Sequence, residues 1–232
     1  MTALAERATT LVELMDDPAC DPVLLARTYR QFAVVNRLVS GWRRLYRETL
    51  RPVLAASPRP TLLDIGFGGG DVPRRLAAWA RADGLDLTAT AVDPDPRAAA
   101  YVAARPPAEG VEFRRASSAD LVAEGRRFDV VVSNHLLHHL DPVALQRLLA
   151  DSEQLAAQLA LHNDLSRSVL AYRAYGVVTR PLARTSFLHT DGLRSIRRSY
   201  RPGELADVRP GWSVGPLGPF RLLLRHDAGA VA

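Results

Sequence analysis

The stretch LLDIGFGGGD, Leu62 to Asp71, sets four glycines between two aspartates directly after an apolar run. Glycine tolerates positive φ and lets backbone come close to a ligand, so Gly66, Gly68, Gly69 and Gly70 read as a strand-to-helix turn that cradles one. A dinucleotide fingerprint would carry Gly or Ala at the sixth position of such a run, where a helix N-terminus meets a pyrophosphate. Here that position is Asp71, and Asp64 stands two residues before the first glycine. Carboxylates on both sides of the loop suit a ligand with a cationic part and repel a phosphate. Asp71 also reads as an acid at a helix N-terminus, where the dipole favours it. Farther on, Asp93 and Pro94 in AVDPDP close a second apolar run, where an acid can accept both hydroxyls of a ribose.

Histidines supply the second chemistry. His135, His138 and His139 follow the run FDVVVS, and His162 ends the next one. A transfer reaction that removes a proton from its acceptor needs a base near the carboxyl ends of the strands. His135 and His162 are the candidates, while His138 and His139 read as packed or capping residues. No glutamate or further ligand falls in the spacing of zinc helices, so no metal is expected. Asn163 and Asp164, next to His162, orient an acceptor hydroxyl or cap a helix beginning at Leu165.

The elements that must position these groups are legible in the periodicity. Residues 4 to 15 and 22 to 54 have helical spacing, and AASPRP at 55 to 60 ends that section. Beyond it, apolar runs at 61–66, 87–92, 111–115, 128–133 and 155–162 alternate with helical stretches near 71–83, 95–104, 141–151 and 165–179. Strand and helix in turn imply right-handed βαβ units, hence an α/β, doubly wound, mostly parallel sheet. The segment after 180 reads as irregular, and WSVGPLGPFRLLLR reads as two antiparallel strands at the sheet edge. Two sections are expected: N-terminal helices over 1–56 acting as a lid, and a Rossmann-like domain over 57–232.

In LLDIGFGGGD, ATAVDPDP and FDVVVSNHLLHHLDP the chain resembles the class I S-adenosylmethionine-dependent methyltransferases, whose first, second and fourth motifs these match in order. LALHNDLSRSVLAY and HTDGLRSIRRSYRPGEL resemble a bacterial small-molecule subgroup with an N-terminal helical lid. The cofactor is a ribose compound with a sulfonium and no phosphate, as the loop acids require. The resemblance implies that Asp64 and the backbone of Gly66, Gly68 and Gly70 hold its methionine part, and that Asp93 and Pro94 hold the ribose. Asn134 and His135 take its far side. Where the family often has an acid near the adenine amine, this chain has Ser117 and Ser118, with Asp120 as an alternative; a serine hydroxyl can accept the same bond. Tyr29, Asn36, Asp164 and Arg167, with Tyr200, are expected to line the acceptor pocket.

The Asn/Asp-Pro-Pro-Tyr/Phe turn of nucleic-acid amino-methyltransferases is replaced by SNHLLHHL, which argues against nucleic acid as the substrate. The favoured activity is O-methylation of a phenolic, quinol or polyketide-type hydroxyl in natural-product biosynthesis; the alternative is a non-catalytic subunit that binds S-adenosylmethionine. All 30 basic residues are arginine and the net charge is +5, but they are spread along the chain and read as solvated faces. A single cysteine, Cys20, excludes an intrachain disulfide and a cysteine-based zinc site. With an acidic N-terminus and no long apolar run, a cytoplasmic location without a membrane span is expected.

Overall fold

The computed structural model describes residues 4–229. Seven strands, β1 (Thr61–Ile65), β2 (Thr88–Val92), β3 (Val111–Arg114), β4 (Phe128–Asn134), β5 (Ala156–Leu165), β6 (Trp212–Gly218) and β7 (Arg221–Asp227), form one sheet in the order β3-β2-β1-β4-β5-β7-β6. The first five are parallel, whereas β7 runs antiparallel to β5 and β6 antiparallel to β7. β1, β2, β4 and β5 are buried on both faces, which is why they read as near-continuous apolar runs. Strand order reverses between β1 and β4, and ligands of doubly wound sheets bind in the crevice at that switch point. The glycine loop follows β1 and the histidine segment follows β4, so both open into the crevice.

Helices cover the two faces: α1 (Pro22–Val39), α2 (Trp42–Leu45), α3 (Arg51–Ala55), α4 (Asp71–Ala82), α5 (Pro96–Ala103), α6 (Ser118–Ala123), α7 (Pro142–Leu155), α8 (Val169–Thr179) and α9 (Leu188–Arg198). Three of them begin at an Asp-Pro pair. Asp21, Asp95 and Asp141 accept hydrogen bonds from first-turn amides of α1, α5 and α7, and the proline that follows forfeits only an amide no helix would use. A π-helical turn, Tyr46–Leu50, joins α2 to α3. Tyr46, Leu50 and Leu54 pack in the same core cluster as Leu62 of β1, Val132 of β4 and Leu161 of β5. The later half of the N-terminal section is thus core of the sheet domain.

Several expectations are corrected. Residues 4 to 15 form no α-helix, only 3-10 turns at Leu4 and at Leu14–Asp16. Their backbone finds partners elsewhere: the Leu14 and Met15 amides donate to Asp191 at 2.7 and 2.9 Å, and Arg167 donates to the carbonyls of Leu4 and Ala5. The segment expected to be irregular contains α9. Gly192 inside it disfavours a helix by propensity, but a Cβ there would lie 2.2 Å from the Tyr175 hydroxyl, so α8 and α9 pack through the missing side chain. β5 continues to Leu165, and the next helix starts at Val169 with Ser168, not Asp164, as its cap. α6 had no forecast; Ser117 and Asp120 form its capping box.

Candidate active site

One pocket occupies the crevice, and nine of the expected residues line it: Tyr29, Asn36, Asp64, Gly66, Gly68, Asp93, Pro94, Asn134 and His135. The glycine loop is built for close approach. Gly66, Gly68 and Gly70 have φ of 78°, 50° and 70°. Gly70 does not reach the pocket, and its role is packing: a Cβ would lie 2.8 Å from the Phe113 ring and 2.9 Å from Val102. Tyr29 of α1 lies over the loop, 3.1 Å from where a Cβ on Gly69 would stand.

Asp93 fixes the loop as well as facing the pocket. One carboxylate oxygen accepts from the Gly68 amide at 2.9 Å and the other from the Asp95 amide at 2.9 Å. Asp71 is held by Arg75 at 3.0 Å and by the Asn36 amide. Asp64 is different, because its Oδ1 is buried with no hydrogen-bond partner. Burial, then the neighbouring charges of Asp71 and Asp93, hold its carboxyl well above the usual carboxylate range. Burial raises Asp71 and Asp93 too. Three acids around a crevice, one of them unpaired, form a site that a cation completes and a phosphate does not. These residues therefore fit a sulfonium nucleoside.

After β4 the chain enters the left-handed region at His135, with φ 57°. Its Nε2 accepts a hydrogen bond from the guanidinium of Arg221 at 2.8 Å, since an arginine can only donate. Burial and that cation keep the ring neutral, far below its ordinary titration. With the Nε2 lone pair committed, His135 is a pocket wall and not the expected base. Arg221 of β7 also donates to Asn134 and Asn163, at 3.0 and 2.8 Å, and so fixes the strand ends; the sequence reading did not single it out.

His162 is corrected as well. It lies outside the pocket, fully buried, with Nδ1 2.7 Å from the Ser133 hydroxyl and its ring stacked on Trp212 at 5.2 Å. Burial pushes it down to about 3, so it is a neutral core residue. Asp164 does not line the pocket either; it accepts from the backbone amide and the Nδ1 of His138, at 2.8 and 2.7 Å. Arg167 is buried and fully engaged with Leu4, Ala5, Ser199 and Glu204, which makes it a tie for the N-terminal segment. Tyr200 packs in the core beneath Arg7. Ser117 and Asp120 are spent on capping α6, and the Ser118 hydroxyl donates to Asp151 at 2.6 Å, so none of the three reaches the pocket.

The histidines read as packing residues are those that face the pocket with titratable atoms. His138 and His139 sit in a 3-10 turn, Leu137–His139, and line the pocket with Glu13, Met15 and Asp16. Glu13 Oε1 lies 3.4 Å from His138 Nε2, and Glu13 Oε2 lies 3.9 Å from His139 Nε2. Burial lowers His138, but Asp164 and Glu13 outweigh it and raise the ring to about 10. Burial raises Glu13, and His138 and His139 override it to hold the carboxylate below its ordinary value. Nothing local marked Glu13, whose partners are more than a hundred residues away. The arginines also gather more than their dispersal suggested: Arg37, Arg43, Arg44, Arg47 and Arg51 line one surface groove on α1 to α3, because helical turns bring those positions to one side.

A loop of glycines and acids at the switch point of this sheet, with antiparallel strands β6 and β7 closing its edge, defines the class I methyltransferase fold. Residues 62–158 match the family described as methyltransferase domain. That match and the fold support an S-adenosylmethionine-dependent methyltransferase. Among solved structures the chain is similar to the plantazolicin methyltransferase BpumL in complex with SAH, at 11% identity and a TM-score of 0.60, covering 88% of this chain and 93% of that one. It is similar to DhpI in its SAM-HEP complex, at 20% identity and a TM-score of 0.52, covering 89% and 98%. Human N-acetylserotonin methyltransferase in complex with SAM is similar at 13% identity and a TM-score of 0.57, covering 88% and 55%. No curated protein matches the sequence. Among the described residues no helix is long and apolar enough to cross a membrane.

Asp93 should matter twice, through the ribose and through the Gly68 amide it fixes. Asp93→Ala is expected to weaken S-adenosylhomocysteine binding by roughly 1.5–3 kcal/mol, the range for hydrogen bonds to a charged group. Titration calorimetry reads this directly, and unchanged affinity would contradict the assignment.

Proposed function

We propose that this enzyme methylates a hydroxyl of a small phenolic, quinol or polyketide-type molecule, of the kind made in natural-product biosynthesis. The observation that carries the reading is the make-up of the pocket wall. One set of residues, Asp64, Asp93 and the glycine loop, suits the cofactor. A second set sits among the apolar side chains Met15, Phe32 and Leu136: the polar wall of Glu13, His138 and His139. Such a combination takes an apolar ring and presents ionisable groups to its oxygen. When bound, the sulfonium supplies an activated methyl carbon. Asp64 and the backbone of Gly66 and Gly68 orient it, and Asp93 and Pro94 take the ribose. Asn134 and His135, steadied by Arg221, bound the far side. The Glu13–His138–His139 wall receives the acceptor oxygen and deals with its proton.

The earlier half of the N-terminal section acts as a lid in this reading. Glu13 to Asp16 and the pocket side of α1, with Tyr29, Phe32 and Asn36, cover the crevice and exclude water. A pocket roofed in this way leaves little access for a flipped base. BpumL and N-acetylserotonin methyltransferase, named for small-molecule substrates, add weight to the same class.

The test is a panel of alkylphenols, quinols, polyketides, amines and oligonucleotides incubated with the purified chain and methyl-labelled cofactor. Label should appear on oxygen of a phenolic or quinol compound. Label on nitrogen or carbon alone, or on nucleic acid, would overturn the hydroxyl assignment.

A further inference from the structure

We propose that Glu13, His138 and His139 form a binding site for one divalent transition-metal ion in the wall of the acceptor pocket. One ligand atom from each of the three residues lies within 4.8 Å of the others. An ion held at about 2.0–2.2 Å by imidazole nitrogen and carboxylate oxygen keeps its donor atoms roughly 3.2–3.6 Å apart. The two Glu13 oxygens lie 3.4 and 3.9 Å from the Nε2 atoms of His138 and His139, near that spacing. A glutamate oxygen 3.4 Å from an imidazole nitrogen is too distant for a good hydrogen bond and well placed for a shared ion.

The outer contacts argue more strongly than the distances. Histidine ligands ordinarily donate the other ring N–H to a carboxylate or carbonyl, which fixes the tautomer and aims the free nitrogen at the metal. Both histidines here are built that way. His138 Nδ1 donates to Asp164 at 2.7 Å, and His139 Nδ1 faces Asp16 at 3.3 Å, so each Nε2 is left toward Glu13. Glu13 is in turn oriented by the Ser195 hydroxyl at 2.8 Å. Two independent carboxylate–histidine pairs converging on a third carboxylate is more apparatus than packing requires.

Charge supports the same conclusion. Glu13, Asp16 and Asp164 surround the cluster, and among the described residues Arg198 lies 3.6 Å from Asp16, its other donors spent on the His138 and His139 carbonyls. Arg7 reaches the His138 and Leu140 carbonyls, and Ser195 and the His135 ring complete the surroundings. In taking the His138 Nε2 the ion displaces the proton held there between Asp164 and Glu13, and the carboxylates remain to balance its charge. Two imidazoles and one carboxylate favour zinc, cobalt or iron over magnesium or calcium. Glu13, His138 and His139 all line the pocket, so the remaining coordination positions open to the acceptor. That the ion would hold the acceptor oxygen rests on the hydroxyl reading; that the ion binds does not.

The test uses the full chain, stripped with chelator and titrated with cobalt(II) chloride at pH 7.5 with no acceptor present. One saturable equivalent with visible d–d absorption is expected, and zinc should displace it. His139→Gln and Glu13→Gln should each weaken cobalt binding at least about tenfold and change the absorption, while circular dichroism and S-adenosylhomocysteine titration report an intact fold. Asp16→Asn, a positioning residue, should weaken it by about 10–100-fold with the absorption retained. No saturable uptake by the parent chain, or uptake unaltered in both ligand variants, would overturn the proposal. Because neither readout involves methyl transfer, such a failure leaves the hydroxyl reading standing, and a failed acceptor panel leaves the ion.

Discussion

Replacing Glu13 with alanine should lower methyl transfer to a hydroxyl acceptor by ~10²–10⁴-fold, the usual contribution of a positioned acid–base group, with cofactor affinity nearly unchanged. The argument is positional. Glu13 is buried, yet its carboxylate lies in the pocket wall within reach of His138 and His139, and among the described residues the Ser195 hydroxyl is its only other side-chain partner. Asp64, Asp93 and the glycine loop share no hydrogen bond or ion pair with it among the described residues. Losing it therefore disables the end that handles the acceptor proton and spares the end that holds the nucleoside. Steady-state turnover beside calorimetric binding of S-adenosylhomocysteine separates the two. Equal losses in both would mean that the N-terminal segment had come away, and undiminished turnover would remove Glu13 from the chemistry.

The contrast between that residue and the glycine loop shows what a sequence displays. Asp64, Gly66, Gly68 and Asp93 were legible because strand, turn and acid follow one another within a few residues, and the sheet places the ends of β1 and β2 side by side. The five parallel strands were legible for a related reason: burial on both faces leaves unbroken apolar runs. Glu13 had no such signal. Its segment has helical spacing, but Asp191 and Arg167 draw its backbone into another path, and its partners arrive from the far end of β4. His162 failed for the opposite reason. A strand buried on both faces lacks the polar alternation that would say which way a residue points, so a histidine at its end reads equally as catalytic or as core. α9 was hidden by a glycine whose purpose, room for Tyr175, exists only once α8 is packed against it.

The core position of His162 has a large consequence for acid stability. In the unfolded chain a histidine titrates near ~6.5. In the fold, burial between Ser133 and Trp212 pushes it down to about 3. Between those values the folded chain binds fewer protons at this site than the unfolded one. The stabilisation is thus complete above about pH 6.5 and is lost as pH falls toward 3, amounting to about 5 kcal/mol at one pKa unit per 1.36 kcal/mol. Other groups act in different windows or with the opposite sign. Asp164, held low by His138 against its burial, keeps its contribution through this interval and loses it only at lower pH, once a free aspartate would protonate. Asp191, raised by burial to about 6, gains from acidification over the same range. His138, raised to about 10, loses its contribution on the alkaline side, as pH climbs from 6.5. The difference between the parent chain and His162→Gln cancels these and isolates one site. Glutamine can still meet the Ser133 hydroxyl but takes up no proton, so the parent's advantage in unfolding free energy should shrink by about 2 kcal/mol between pH 6.5 and 5, at about 1.4 kcal/mol per pH unit. Denaturant melts of both proteins across that interval measure it, and parallel pH profiles would show that the ring is not buried as a neutral group.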